Sequence, residues 1–240
     1  MTTRATVVFG DVVGSRRDPG SAAFLRSLRD DLDVAYPGRD RLAGFAFTQG
    51  DEMQGLLAPD VDPILAVVLA ALRPDARTIR WAVVAGEIEP GIGPATERSG
   101  PAFHAARELL ERARTRRDGL VVRTGDPDAD ALLEGVGPVL STLLDDLTPR
   151  QREVARLLLL EGLRQADAAD RLGVRRATVS VIADRGRIRY LGPLAATIGS
   201  IFRDGAARAA AARVDGQDPP LASAVADAAA ATDARGGSTP

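Results

Sequence analysis

Residues Thr3–Phe9 read TRATVVF, a run rich in β-branched side chains that ends at Gly10 and Asp11. Runs of this kind favour a strand, and we predict this one as the first strand of a sheet. Residues 21–35 then carry apolar side chains at helical spacing until a Pro-Gly pair stops the helix. The chain is therefore predicted to open with a strand followed by a helix.

The next segments continue this alternation. We predict strands at Leu42–Thr48, Met53–Leu57, Thr78–Glu87 and Gly119–Arg123, helices at Pro63–Arg73 and Pro101–Arg117, and short helices at Asp128–Leu133 and Pro138–Leu144. The order is βαββαβαβ, and its first six elements are those of a ferredoxin-like split βαβ unit. In that topology the third strand lies antiparallel beside the first. We therefore expect Asp11 and Asp51 to share one edge of the sheet.

Composition excludes several kinds of chemistry. The 240 residues include no Cys, one His and 31 basic side chains, all of them Arg. Without Cys there are no disulfides, zinc ribbons or thiol nucleophiles, and without Lys there is no Walker-A lysine or Schiff base. No apolar run approaches the roughly 20 residues of a membrane span, so we expect a cytoplasmic protein with no membrane partner.

Charge is distributed unevenly along the chain. Residues 147–203 hold 11 Arg and 5 acidic residues, a net charge of +6, whereas residues 1–146 hold 17 Arg and 23 acidic residues, a net charge of −6. We predict an α/β domain at 1–146, a basic helical domain at 147–203, and an Ala-rich, mostly disordered tail at 204–240. Its helix-forming stretches, Ala206–Arg213 and Ser223–Thr232, have little to bury. Only the second domain suits a polyanion.

The basic domain has the pattern of three short helices. Residues Thr148–Gln151 (TPRQ) suit a helix N-terminus with a capping box. A second helix is predicted from about Gln165 to Leu172, Gly173 supplies a sharp turn, and a third helix runs from about Arg176 to Arg187. This pattern resembles the helix-turn-helix of LuxR-type proteins and of sigma-factor region 4, which implies DNA binding. We predict an α/β (α+β) fold, with a ferredoxin-like βαββαβ sheet domain followed by a small all-α helix-turn-helix domain.

The third helix of such a domain enters the major groove with its first residues at the base edges. Arg176, Ala177 and Ser180 lie on the predicted outward face, together with Asp184, whose negative charge departs from the pattern. Arg pairs with guanine, and Ser pairs with several bases. We expect the nearby phosphates to be bound by Arg175, Arg185, Arg187 and Arg189.

Three short motifs mark the first domain. They are Gly10–Arg16 (GDVVGSR), Gln49–Gly55 (QGDEMQG) and Arg80–Glu87 (RWAVVAGE), the last followed by Gly100–Arg107 (GPAFHAAR). Together they closely resemble the SatD family, bacterial proteins that pair such a domain with a helix-turn-helix. The resemblance covers the chain to about residue 200, and it implies an architecture more than an activity.

A more distant resemblance, to class III and GGDEF nucleotidyl cyclases, implies a chemistry. Asp11 and Asp51 match the two Asp residues that hold Mg²⁺ at a nucleoside triphosphate in those families, and Glu52 matches the GGDEF Glu. Magnesium takes oxygen ligands, usually one or two carboxylates together with phosphates. The resemblance therefore implies a possible magnesium site at Asp11 and Asp51.

Ligand contacts are expected around that edge. Backbone amides of the first loop suit phosphate, and the predicted ligand-binding residues are Gly10, Gly14, Ser15, Arg16, Gly50 and Glu52. The cyclase resemblance also implies a catalytic role for Arg107, acting in the site of a partner subunit. The other charges of Arg107–Arg117 are predicted to form a solvated helix face.

The leading hypothesis is a cytoplasmic regulatory protein. Its acidic domain senses a nucleotide-like ligand with Mg²⁺, and its basic domain binds DNA. A homodimer is expected because one short recognition helix provides little affinity. Two alternatives stay open. One is a minimal nucleotidyl cyclase-like phosphoryl-transfer enzyme that uses the paired Asp residues, and the other is a structural adaptor with a degenerate site.

Overall fold

The computed structural model describes residues 3–15, 20–48, 52–116 and 118–214. The elements are β1 Thr3–Val12, α1 Ser21–Ala35, β2 Arg41–Phe47, β3 Glu52–Leu57, α2 Ile64–Ala71, β4 Ile79–Ile88, α3 Pro101–Arg116, β5 Leu120–Arg123, α4 Pro127–Asp145, α5 Pro149–Ala155, α6 Gln165–Arg171, α7 Arg176–Arg185 and α8 Ile188–Val214. A 3₁₀ turn, Ala95–Glu97, precedes α3, and a π-helical turn, Arg156–Leu160, continues α5. No helix within these ranges is long and apolar enough to cross a membrane.

The strands form one sheet in the order β2-β3-β1-β4-β5. β1 runs antiparallel to both β3 and β4, and β5 lies parallel to β4 at the edge. The first four strands have the order expected of a ferredoxin-like unit, and the predicted α+β fold is confirmed. The crossover from β4 through α3 to β5 adds the fifth strand.

The two faces of the sheet are covered by different helices. Alternate residues of a strand point to opposite faces, and β1 divides its side chains in this way. Ala5, Val7 and Phe9 pack with the buried face of α3. Val8 and Val12 belong to a larger core with α1, α2 and α4, and that core continues into α5–α8. The sheet and the C-terminal helices therefore share one continuous hydrophobic core.

One helix, α4, replaces the two short helices predicted between residues 128 and 144. Pro138, where the second short helix was expected to begin, lies inside it. The apolar face continues across the proline, however, because Leu133, Leu140 and Leu144 are all buried. Burial of this continuous face outweighs the loss of one backbone hydrogen bond at Pro138.

The last helix, α8, corrects the expectation that the chain has little to bury beyond residue 203. Residues 204–214 form its final turns, and Ala206 and Ala209 are buried like Phe202 before them. Gly205 allows this close approach, because a Cβ there would lie 2.5 Å from the Cβ of Ala129. Small side chains therefore let α8 pack along α4. Residues 215–240 of the predicted tail lie outside the described part of the chain.

Candidate functional site

The helix-turn-helix expected in the C-terminal domain is built from α5, α6 and α7. Thr148 accepts from the backbone N–H of Gln151, whose side chain accepts from the Thr148 N–H, so the predicted capping box is present. Ala168 and Ala169 are buried between the helices. Gly173 makes the turn with φ +64°, a left-handed conformation that glycine adopts without strain. Local capping and turn chemistry therefore set the path of this module.

Helix α7 buries one face and exposes the other. Val179 and Ala183 point into the core, whereas the residues predicted for the outward face are all exposed: Arg176, Ala177, Ser180 and Asp184. Val181 is exposed on the same face, half of its surface remaining accessible. Val181 was not among the predicted contact residues, although its spacing from Ala177 and Asp184 places it between them on the helix surface.

Arginines surround this exposed face. Arg175 stands at the N-cap of α7 without a side-chain cap bond, and Arg185 is its last residue. Arg187 follows in a left-handed conformation at φ +51°, and all three side chains are exposed. Arg189 lies 3.6 Å from the Asp184 carboxylate, so a cation partly offsets the negative charge that departed from the expected pattern. The surface around α7 is therefore strongly basic.

The second group of predicted residues lies at the end of β1. Asp11 pairs with Glu52 in the register of β1 and β3, which confirms that the two strand ends meet as expected. Asp11 is 6% exposed. Its two carboxylate oxygens accept hydrogen bonds from Nε and Nη2 of Arg114 at 3.1 and 2.9 Å. Arg80 of β4 lies 3.6 Å away.

Glu52 belongs to the same ionic cluster. It accepts a hydrogen bond from Gln54 at 2.8 Å and lies 3.8 Å from Arg114 and 3.9 Å from Arg107. The Arg107 guanidinium also lies over the Phe9 ring, 5.8 Å from its centroid, and 64% of its side chain is exposed. Arg107 is thus close to the acidic edge, and its predicted catalytic role remains a prediction.

Arg80 and Arg114 are the members of this cluster that sequence reasoning missed. Arg114 was expected on a solvated helix face, but only 34% of its side chain is exposed because it turns inward to Asp11. Hydrogen bonding to Asp11 raises the pKa of the Arg114 guanidinium, which remains charged. Arg80 opens the third motif, RWAVVAGE, but was not among the predicted site residues, and Arg114 belongs to none of the three motifs. Their proximity to Asp11 follows from the packing of α3 and β4 around β1.

Three of the remaining predicted ligand residues, Gly10, Gly14 and Ser15, lie at or just beyond the end of β1. A Cβ at Gly10 would lie 3.0 Å from the Trp81 ring, so this glycine makes room for the tryptophan. Gly14 adopts φ +76° in the following turn, with Ser15 next to it. The positions of Arg16, Gly50 and Asp51 lie outside the described residues.

The fit of a magnesium ion depends on Arg114. Both oxygens of Asp11 already accept hydrogen bonds from this guanidinium. Among the described residues, no three His, Asp or Glu side chains form a group that could hold a metal ion. Asp51 is not among them. A cation at Asp11 therefore requires Arg114 to move away.

Comparison with protein families bears on the C-terminal domain. Residues 143–189 match the family model of Sigma-70, region 4, which covers α5, α6 and α7 with the ends of the helices on either side. The C-terminal helices form a helix-turn-helix of the sigma-70 region 4 kind. The expected resemblance to sigma-factor region 4 is thereby confirmed. The resemblance of the first domain to SatD proteins and nucleotidyl cyclases stays a prediction.

Over most of its length the chain shows a distant likeness to a solved structure. A solved structure of a regulator of polyketide synthase expression from Bifidobacterium adolescentis is 16% identical, with 84% of this chain and 82% of that chain covered. Its TM-score is 0.28, and a likeness at that level carries no argument. None of the curated proteins matches this chain.

Proposed function

We propose that this protein is a DNA-binding transcription regulator whose sheet domain senses a nucleotide-like ligand. The observation that carries the DNA-binding half is the region 4 helix-turn-helix with α7 exposed on a basic surface. In a helix-turn-helix the recognition helix, here α7, lies in the major groove of bound DNA. Residues 147–203 carry a net charge of +6, which suits a polyanion.

The proposal assigns base contacts and phosphate contacts to different residues of this surface. Arg176 and Ser180, near the start of α7, would contact base edges, since Arg pairs bidentately with guanine. Arg175, Arg185 and Arg187 would contact phosphates, which position a protein without reading the sequence. A homodimer remains part of the proposal, because two half-sites supply the affinity that one recognition helix lacks.

A gel-shift series at varied salt concentration tests DNA binding. Wild type would be compared with Arg176→Ala and Arg187→Ala, and Arg39→Ala would serve as a control because that side chain is 90% exposed, far along the chain from α7. Arg176→Ala should cost about 1–3 kcal/mol at the preferred sequence and relax its specificity. Arg187→Ala should weaken all sequences alike and reduce the salt slope by about one. No retardation of any fragment at low salt would overturn the proposal.

The sensing half of the proposal rests on the ionic cluster around Asp11. Asp11 and Asp51 would hold Mg²⁺, which would neutralise the phosphates of the ligand. Because Arg114 holds both Asp11 oxygens, binding of a magnesium–nucleotide complex would exchange this guanidinium for the metal. The released Arg114 would then be free to pair with a phosphate.

Helix α8 is the physical link between the two halves. Arg208 pairs with Asp126 at 2.9 Å, and Arg213 lies 3.5 Å from Glu87 at the end of β4. Arg4, near the other end of the strand that carries Asp11, donates to the Ala206 carbonyl at 3.0 Å. Ligand binding would regulate DNA affinity by favouring one arrangement of the sheet against α8.

Thermal melting with each nucleoside triphosphate, with and without Mg²⁺, tests the sensor. A metal-dependent rise in melting temperature that Asp51→Asn abolishes would support it. Mass spectrometry of the same samples separates binding from turnover, because a sensor returns its nucleotide unchanged whereas a cyclase-like enzyme releases a new product. No change in melting with any nucleotide would contradict the sensing half and leave the DNA-binding half standing.

A further inference from the structure

An exposed valine stands in the middle of the recognition helix. Val181 is 50% exposed, while Val179 on the opposite face of α7 is fully buried. Ala177 lies four residues earlier, and residues at this spacing are neighbours on a helix surface. The two side chains together form a small apolar patch. Within the described part of the chain, no other element covers Val181.

The surroundings of this patch indicate what it meets. Five exposed arginines lie on or beside α7: Arg175, Arg176, Arg185, Arg187 and Arg189. The side chain of Asp184, also on this face, lies 3.6 Å from Arg189, which reduces its repulsion of a polyanion. An apolar contact framed by cations fits the major groove, where the 5-methyl group of thymine is the apolar feature of the base edges.

We infer that Val181, with Ala177, contacts thymine methyl groups and makes this protein select thymine within its half-site. The inference rests on the proposed DNA binding and adds a specificity-determining residue to it. Arg176 and Ser180 read hydrogen-bonding groups, whereas Val181 reads a methyl group that only the A·T and T·A pairs present. The preferred half-site should therefore combine guanine near Arg176 with thymine near Val181.

The test begins with selection of the preferred duplex from a random pool by the full chain. Each thymine of the selected site is then replaced by deoxyuridine, which removes the 5-methyl group and keeps the base pair. Affinities are measured for wild type, for Val181→Ala, and for Val139→Ala. Val139 is a matched control because it is also 50% exposed but lies on α4.

Wild type should lose about fourfold in affinity at one or two thymines, the value of a single buried methyl group. Val181→Ala should weaken binding to the thymine site by a similar factor and lose its sensitivity to deoxyuridine there. Val139→Ala should behave as wild type. Neither variant should melt below wild type, because neither valine contributes to the buried core and alanine is the better helix former.

Several results would overturn the inference while leaving DNA binding intact. They are a selected site without thymine, indifference of wild type to every deoxyuridine, and unchanged DNA affinity of Val181→Ala. The last of these would show that Val181 does not contact the bases. Absence of any selected DNA would overturn the inference together with the proposed DNA-binding function.

Discussion

Asp11 and Arg114 lie 103 residues apart in the chain and are joined by two hydrogen bonds, at 2.9 and 3.1 Å. β1 places the carboxylate on the face of the sheet that α3 covers, and the last turn of α3 brings the guanidinium over it. A buried carboxylate is costly unless it is paired. The pair therefore stabilises the packing of α3 on the sheet, and it places a cation where a metal was expected.

Arg114→Ala should destabilise the protein by about 1–3 kcal/mol, because it removes the main partner of a buried carboxylate. The loss should stay below that of a fully buried pair, since Arg114 is one-third exposed and Arg80 still lies 3.6 Å from Asp11. Urea unfolding measures this loss in the free energy of unfolding. Arg107→Ala is the matched control and should change stability by no more than about 0.5 kcal/mol. Equal losses for the two variants would contradict the assigned role of Arg114.

Gly199→Ala should destabilise the contact between α8 and the start of α2. A Cβ at this position would lie 2.5 Å from an Asp62 carboxylate oxygen, and Asp62 is held by the backbone N–H of Ile64 and by Arg203. Overpacking of this kind costs about 1–3 kcal/mol. Thermal or urea unfolding would measure the loss.

Gly135→Ala provides the matched comparison for that substitution. Gly135 lies inside α4, and a Cβ there would meet nothing within 4 Å. Alanine should therefore stabilise the helix by about 0.5–1 kcal/mol through its higher helix propensity. Stabilisation by both alanines would contradict the prediction, because the Asp62 carboxylate would then yield to the added Cβ at little cost.

The pairing of Asp126 with Arg208 should make stability depend on pH in the acid range. Hydrogen bonds from Arg208 hold the pKa of Asp126 below its ordinary value of 3.8. Because the folded pKa is the lower one, the stabilisation is present above the ordinary pKa and is lost as pH falls through the folded pKa. Asp126→Asn should keep the N-cap of α4, since Asn caps well, and lose only this charge-dependent part.

Urea unfolding of wild type and Asp126→Asn across pH measures this charge-dependent stabilisation. The difference should be largest at neutral pH and should shrink as pH falls below the ordinary carboxyl pKa of 3.8. Arg208→Ala should show the same loss of pH dependence. A difference that persists undiminished at low pH would mean that the carboxylate charge does not bind α8 to α4.

Elements with strong local signals could be predicted from the sequence. The β-branched run Thr3–Phe9 forms β1, the residues Thr148–Gln151 form the predicted capping box, and Gly173 makes the predicted turn. Two features of the candidate site also follow from signals that the sequence displays. The exposed face of α7 is set by helical periodicity, and the meeting of Asp11 with the start of β3 is set by element order. Backbone propensity and periodicity act within a few residues, so a single sequence displays them.

The features that no local pattern predicts involve partners distant in the chain. Arg114 reaches Asp11 because α3 packs on one face of the sheet, and no local pattern in Arg107–Arg117 distinguishes it from its charged neighbours. α4 runs through Pro138, and α8 continues to Val214, because each buries a continuous face against another element. Burial and charge pairing depend on which surfaces meet in three dimensions. They override the local signals of a proline or an Ala-rich segment, and they determine which charged side chains leave the solvent.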